Sequence, residues 1–506
     1  MTRRLYMRIV ESVVGDIRRK VFTEVARLAY EGGDYNRIDE LPYRIIPGEE
    51  AKYRESIFLE RAIVGERLRM AIGLPLRPIS AHAPLSMGIQ ESAIAEKYFD
   101  PPLVNIIKFA CNACPDRYFV TDGCQSCLAH PCIEACPKDC IEIKEHAVID
   151  QERCIQCGRC KQVCPYQAIL KQERPCARAC GVDAIVSDEQ NRAVINQDKC
   201  VACGMCIVNC PFGAITDKAQ IFQLIHAMKT GHRVIAIVAP SFLGQFGPNI
   251  TPERLTAALG ELGFYKVMEV AVGADLCTIE EAKDFVRFVP SEQPFMATSC
   301  CPSWSAMAKK EFPDIAHCLS MALTPMVLTA RLAKKDCPGS KVVFIGPCAA
   351  KKLEASRKAV RSNVDFVITY EELLGMFEAK GIDLSRVEGN DPLGEPTAAG
   401  RGFPISGGVA RAVADAIGRI DPQREVQVVT AEGLRECKQM LAKAQKGLYD
   451  GYLLEGMACP GGCVAGTGTV RDSRKTARLV TQYQQECTDK NAMDSRYEVT
   501  LGLLND

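Results

Sequence analysis

The chain has 506 residues, enough for two or three domains around a large core. Its 62 basic and 62 acidic side chains cancel, which excludes both the positive excess of a nucleic-acid-binding surface and the acidic block of a disordered tail. Twenty-seven cysteines without a secretory leader read as metal ligands and not as a disulfide scaffold.

Residues 1–105 hold only helix and turn signals and no cysteine. The twin arginine of "MTRRLYMRIV" is followed by the charged "ESVVGDIRRK" where an export signal needs an apolar stretch. No uninterrupted apolar run reaches membrane-spanning length, so a cytoplasmic protein without a membrane span is expected. Tyr6, Val10, Val13, Ile17, Val21 and Val25 recur at helical spacing and predict a helix packed on a neighbouring core. The basic run Arg18, Arg19 and Lys20 leaves a membrane-surface helix as the alternative. Prolines at 42, 47, 75, 78 and 84 divide the rest into short pieces.

Residues 106–218 carry seventeen of the cysteines. "CIQCGRCKQVCP" (Cys154, Cys157, Cys160, Cys164) and "CVACGMCIVNCP" (Cys200, Cys203, Cys206, Cys210) have the spacing by which bacterial ferredoxins hold [4Fe–4S] clusters. Three thiolates wrap one cluster, and the fourth, after a turn, reaches a second. A zinc site needs four ligands and leaves the third C-x2 step and the trailing Cys-Pro without a purpose. "CQSCLAHPCIEACP" is a looser copy, with Cys124, Cys127, Cys132 and Cys136. Exchange of the fourth ligand predicts one cluster on Cys124, Cys127, Cys132 and Cys164, and its partner on Cys154, Cys157, Cys160 and Cys136. "HPCIEACPKDCIEI" aligns with "RPCARACGVDAIVS", matching Cys132 to Cys176 and Cys136 to Cys180. The same logic predicts a third cluster on Cys200, Cys203, Cys206 and Cys180, and a fourth on the upstream pair Cys111 and Cys114 with Cys176 and Cys210. Sixteen cysteines fill four clusters and Cys140 is left over. His130 stands among these ligands, as an iron ligand or as a turn residue; it and Cys140 are the residues able to replace a predicted ligand. One or two clusters suffice to staple a fold. Four in a row make a wire, because each takes an electron with little rearrangement.

From residue 219 to 506 apolar strands alternate with helical patterns. The strands are "RVIAIVAP", "KVMEVAVG", "KVVFIGPC", "VDFVITY", "EVQVVTA" and "YDGYLLEG"; "TPERLTAALGEL" and "GVARAVADAIGRI" are among the helices. This predicts α/β architecture with mainly parallel sheet covered by helices, and sites beyond the carboxyl ends of strands. "PSF", "PCAAKK" and "MACPGGC" sit there. Four of the ten cysteines in this part, Cys301, Cys348, Cys459 and Cys463, come from three separate loops and suit one more cubane.

"TSCCPSW", "PCAAKKLEA" and "EGMACPGGCVAG" together resemble the three signature segments of the iron-only, or [FeFe], hydrogenases, over roughly residues 219–480. The resemblance implies an α/β catalytic domain of two lobes around an H-cluster, preceded by a ferredoxin-like α+β iron–sulfur domain and a helical N-terminal segment that the resemblance does not cover. The H-cluster is a cubane joined through one thiolate to a two-iron unit with carbonyl, cyanide and a bridging dithiolate that bears an amine. Carried over by position, Cys301, Cys348, Cys459 and Cys463 ligate the cubane, and Cys463 is shared. Lys351 matches the lysine that donates to a cyanide; by itself it reads as an ordinary surface lysine, with Lys352 beside it. Pro240 and Ser241 match the segment against the other cyanide, and Met457 the methionine beside the two-iron unit. Gly461 and Gly462 let the backbone pass close. Cys300 matches the free cysteine that exchanges protons with the amine, a task suited to a thiol whose unperturbed pKa of about 8.5 lies near working pH. Glu281 and Asp284 in "GADLCTIEEAKDF", on one helical face, and Ser320 in "CLSMALTP" match the proton relay, although such a helix is also the pattern of a plain solvated face.

Four departures mark a divergent branch. Asp284 replaces a glutamate, Gly346 stands where methionine is usual, "GTGT" (Gly466 to Thr469) replaces a glycine-rich ending with glutamine, and Cys277 is an additional thiol near the relay. The implied activity is the interconversion of dihydrogen with two protons and two electrons. Its implied partners are a ferredoxin-type carrier and the proteins that mature the H-cluster. No glycine fingerprint for a nicotinamide stands out. A low-turnover hydrogen sensor, and a non-catalytic iron–sulfur assembly protein lacking the two-iron unit, are the rival readings.

Overall fold

In the computed structural model, which describes residues 12–504 apart from 99, 112, 113, 115 and 358–361, the C-terminal half is built on two sheets. One has four strands in the spatial order Lys266–Glu269, Val234–Val238, Lys341–Gly346, Phe366–Thr369. The other has three, Met296–Ala297, Leu453–Met457, Val428–Glu432. All pairings in both are parallel. The central strands Val234–Val238 and Leu453–Met457 are buried at every residue, the charged Glu455 included, as strands covered by helices on both faces are. Four carboxyl ends lead directly into the loops that bear the chemistry: Val238 into Pro240–Ser241, Ala297 into Cys300–Cys301, Gly346 into Cys348, and Met457 into Cys459.

Two elements differ from expectation at their ends. The stretch "KVMEVAVG" stops being strand at Glu269, and its last residues open the Ala271–Phe288 helix. Met296–Ala297 is a strand of two residues, too short to show a period.

The N-terminal part shares its core with the catalytic half. The helix Val13–Glu31 is capped by Ser12, whose side chain accepts from Gly15 N–H. Val21 and Val25 are buried, Ile17 is partly buried, and Val13 is exposed; Tyr6 and Val10 lie outside the described residues. The helix packs on Tyr370–Lys380, where Gly375 lets it approach so closely that an added Cβ would lie 2.7 Å from Phe22 Cβ. Arg18 pairs with Glu371 at 2.5 Å and Arg19 with Glu378 at 3.2 Å. Two of the three basic side chains therefore face the chain itself, which removes the reason for a membrane-surface helix. Only helix and turn were expected up to residue 105, yet Val104–Ile106 is a strand antiparallel to Ile215–Asp217. At three residues it carries no readable period.

The cysteine-rich part is made of short antiparallel pairs: Arg117–Val120 with Ile169–Gln172, Ile141–Ile143 with Ala147–Ile149, and Ile185–Ser187 with Ala193–Ile195. Among the described residues no helix is long and apolar enough to cross a membrane.

Candidate active site

The loops at the ends of the two sheets enclose one cavity of about 100 Å³. Cys300, Cys301, Cys348, Cys459, Cys463, Lys351, Pro240, Ser241 and Met457 all line it. Each of the five cysteines is partly exposed, and the surface it shows is cavity surface. Trp304 fixes the first loop. Its indole N–H donates to Thr298 O at 2.9 Å, and its ring lies flat on Gly456, where a Cβ would meet it at 2.3 Å. Gly462 has φ of 85°, and a Cβ there would lie 2.6 Å from Pro404 O, so the Cys459–Cys463 loop closes only with glycine.

The donor set fits a metal cluster. Burial, reinforced by the neighbouring thiols, pushes Cys459 and Cys463 well above the ordinary thiol range and Cys348 up to about 11. Such thiols ionise against a strong positive centre between them. Among the described residues no three His, Cys, Asp or Glu side chains converge as one bare ion requires. Sulfurs spread around a void suit a cluster that brings its own sulfides.

Cys300 faces the cavity beside Cys301, and the carboxyl of Glu281 is near it. Glu281 is fully buried on the Ala271–Phe288 helix. Its Oε1 accepts from Ser299 N–H at 3.3 Å, and its Oε2 is buried with no hydrogen-bond partner among the described residues. Burial raises its pKa to about 7, against the opposing effects of the Ser320 hydroxyl and the Ser299 N–H. Asp284, one turn on, is partly exposed; burial raises it and Arg287 opposes. The structure thus brings Cys300, Glu281 and Ser320 together and sets Asp284 toward the surface. Cys277 is buried one turn before Glu281, with Lys351 and Cys300 also near it.

Lys351 is no surface lysine. Its Nζ donates to Cys300 O at 3.2 Å and pairs with Glu354 at 2.6 Å. Burial opposes its charge, but Glu354 and the adjacent thiols outweigh it, so Lys351 titrates above the ordinary lysine value. Lys352 is buried more deeply still, 2.8 Å from Asp217 and 2.6 Å from Glu372. Ser241 is also committed. The Tyr370 O–H donates to Ala239 O at 3.0 Å, so the Ser241 hydroxyl, 2.7 Å away, donates to Tyr370.

Sequence reasoning missed Glu354, Tyr370 and Phe344. Glu354 had a signal, its i,i+3 spacing from Lys351 in "KKLE". Tyr370 had none. Phe344 explains Gly346: a Cβ at 346 would lie 2.4 Å from the Phe344 ring, which itself lines the cavity. The volume of a side chain at 346 is supplied from two residues earlier. In "GTGT", Thr467 packs on Gly204, and Gly466 and Gly468 lie against Pro347 and Thr369 too closely for a Cβ.

In the cysteine-rich part, Cys124, Cys127, Cys132 and Cys164 line one pocket together with His130, which sits in a left-handed turn with φ of 42°. Cys136, Cys154, Cys157 and Cys160 line another, with Cys140. Cys200, Cys203, Cys206 and Cys180 are electrostatic neighbours, as are Cys111, Cys114, Cys176 and Cys210. Cys206 senses Cys176, and Cys203 senses Cys301 and lines the main cavity, so these groups adjoin in series.

Parallel sheets whose loops converge on a sulfur-lined cavity, joined to a run of ferredoxin-type cysteines, define an iron–sulfur protein with a hydrogenase-type catalytic domain. A model of the iron-only hydrogenase large subunit, C-terminal domain, matches residues 232–467, and one of a 4Fe-4S binding domain matches 147–170 and 193–216. The chain is 30% identical over 372 residues to the periplasmic [Fe] hydrogenase large subunit of Nitratidesulfovibrio vulgaris, covering 63% of this chain and 85% of that one. It is 29% identical over 387 residues to iron hydrogenase 1 of Clostridium pasteurianum, covering 66% and 67%. A probable cytosolic Fe-S cluster assembly factor of Aedes aegypti is 28% identical over 288 residues, 46% of this chain and 60% of that one. The chain belongs to the iron-only hydrogenase family, as a divergent member.

Proposed function

We propose that this chain is a hydrogenase that interconverts dihydrogen with two protons and two electrons. In this reading Cys301, Cys348, Cys459 and Cys463 hold the cubane of an H-cluster, and Pro240, Ser241, Lys351 and Met457 surround its two-iron unit. When bound, that group supplies heterolytic cleavage of dihydrogen between iron and the pendant amine. The observation that carries the reading is the ungripped thiol of Cys300 in the same cavity, beside a buried carboxyl with an unpartnered oxygen. Cys300 Sγ gives or takes the proton; Glu281 receives it at Oε2, Ser320 Oγ passes it, and Asp284 releases it. A pKa near 7 lets Glu281 act in both directions at neutral pH. The sixteen cysteines between 111 and 210 other than Cys140 would hold four accessory clusters, which would supply one-electron transfer toward a ferredoxin-type carrier, and maturation proteins would install the two-iron unit. A cytoplasmic location is part of this reading.

The similarity to a cluster assembly factor favours a second reading, a non-catalytic iron–sulfur protein without the two-iron unit. The test is infrared spectroscopy of protein matured with the H-cluster assembly enzymes. Carbonyl and cyanide bands, with hydrogen turnover that falls by about two to four orders of magnitude in Cys300→Ala while the bands persist, are the expected result. Absence of the bands in fully matured protein assigns the chain to the second reading.

A further inference from the structure

The four ferredoxin-type units end in one repeated turn. Each runs from its last cysteine through three residues to a buried small residue just before a strand: Cys136 to Cys140, Cys164 to Ala168, Cys180 to Ala184, Cys210 to Ala214. In all four the residue three past the cysteine is left-handed, with φ of 46° at Asp139, 51° at Gln167, 48° at Asp183 and 58° at Gly213. In all four its N–H returns to that cysteine's carbonyl, at 3.4, 3.1, 3.4 and 3.1 Å. The next residue turns inward toward the sulfur. The N–H groups of Ala184 and Ala214 donate to Cys180 and Cys210 at 3.2 and 3.3 Å. Three units carry alanine there, exposed by no more than 2%. The fourth carries Cys140, exposed by 4%, whose backbone N–H faces Cys136 in the same way. Its Sγ lies 3.4 Å from Cys136 Sγ, with Cys154 also beside it. A thiol stands where the other three units place a methyl.

We infer that Cys140 is a hydrogen-bond donor that tunes the cluster on Cys136, Cys154, Cys157 and Cys160, and not a ligand of it. The inference rests on the proposed reading that those four sulfurs hold a cubane. A cubane gains one electron on reduction and becomes more negative. An S–H aimed at a ligand sulfur stabilises that reduced form, whereas a methyl only covers it. The thiol keeps its proton, no bond is made or broken, and one electron enters and leaves. This cluster therefore fills at a higher potential than it would behind alanine.

The variant Cys140→Ala restores the residue that the other three units carry, so the turn keeps every backbone contact. The experiment is a redox titration of the purified holoprotein followed by electron paramagnetic resonance, with iron counted in parallel. In Cys140→Ala one cluster's midpoint is expected to move to lower potential, with the others unmoved and the iron content unchanged. In Cys140→Ser, which retains a donor, that midpoint is expected to return toward or beyond its starting value. An unmoved midpoint in Cys140→Ala overturns the inference. So does loss of one cluster's iron from that variant, which makes Cys140 a ligand. Absence of accessory iron from the unsubstituted holoprotein sinks the cluster reading itself and the inference with it.

Discussion

Glu281 is where burial and chemistry pull against each other. A carboxyl on a fully buried helical face costs free energy when it ionises, and the cost is visible as a pKa of about 7 in place of 4.5. The folded-state value is raised, so the penalty is absent below about pH 4.5, grows as pH rises toward 7, and is complete above that. The gap corresponds to about 3 kcal/mol. Glu281→Gln is therefore expected to raise the thermal unfolding midpoint of the protein at pH 8 and to leave it unchanged at pH 4. Hydrogen turnover at pH 7 is expected to fall by about two to four orders of magnitude, because the amide neither takes nor gives the proton. Parallel melting curves and gas-evolution assays check both. A variant that keeps full turnover at pH 7 contradicts the proposed proton-transfer role, and one that gains no stability at pH 8 contradicts the cost of the buried charge. At this scale the sequence marked Cys300 and Cys301, which line the cavity, and the cysteines at ferredoxin-type spacing, because such patterns are local. It was silent on Tyr370, whose hydroxyl oxygen accepts the hydrogen bond of the Ser241 hydroxyl from 129 residues away.

The helix Ala350–Ser356 shows what an element adds. It carries two adjacent lysines on different faces, and both are buried. Lys351 turns to the cavity. Lys352 is fully buried between Asp217 from the cysteine-rich part and Glu372 from the helix Tyr370–Lys380, and also donates to Lys218 O at 3.0 Å. Burial opposes its charge, but the two carboxylates outweigh it and Lys352 stays protonated. This triad ties the cysteine-rich part to the helix that presents Lys351. Removal of one partner from such a group leaves buried charge uncompensated. Lys352→Met is expected to cost about 3–5 kcal/mol, read as a lower denaturant midpoint, and combination with Asp217→Asn and Glu372→Gln to recover most of it. An unchanged midpoint in the single variant contradicts the triad's role. The pattern "KK" did not reveal which lysine faced which way, since both assignments fit a helix of this length.

At the scale of the molecule, the N-terminal helices and the catalytic half form one core and not two. Val21, Phe22, Val25 and Leu28 pack into the same apolar cluster as Phe222, Leu224, Tyr370 and Phe377. Each large apolar side chain stabilises by about 1.5–3 kcal/mol when buried, so the first helix contributes about 6–12 kcal/mol. That is comparable with the whole net stability of a typical domain, about 5–15 kcal/mol. A chain shortened to begin at residue 34 is expected to be largely insoluble or to elute as aggregate in size-exclusion chromatography. A monodisperse, iron-loaded product contradicts the shared core.

The sequence by itself marked the cysteines at ferredoxin-type spacing and most of the strands of the two parallel sheets. Thiol spacing and apolar runs are properties of a few neighbouring residues, and the chain carries them without help. Only the tertiary structure decided that Phe344 fills the place beside Gly346, that Glu354 holds Lys351, that Trp304 pins the Cys300 loop to Gly456, and that the Cys140 thiol lies 3.4 Å from Cys136 Sγ. Each of these depends on the close packing of side chains. A few tenths of an ångström settle it there, between side chains whose contacts no local pattern of residues states.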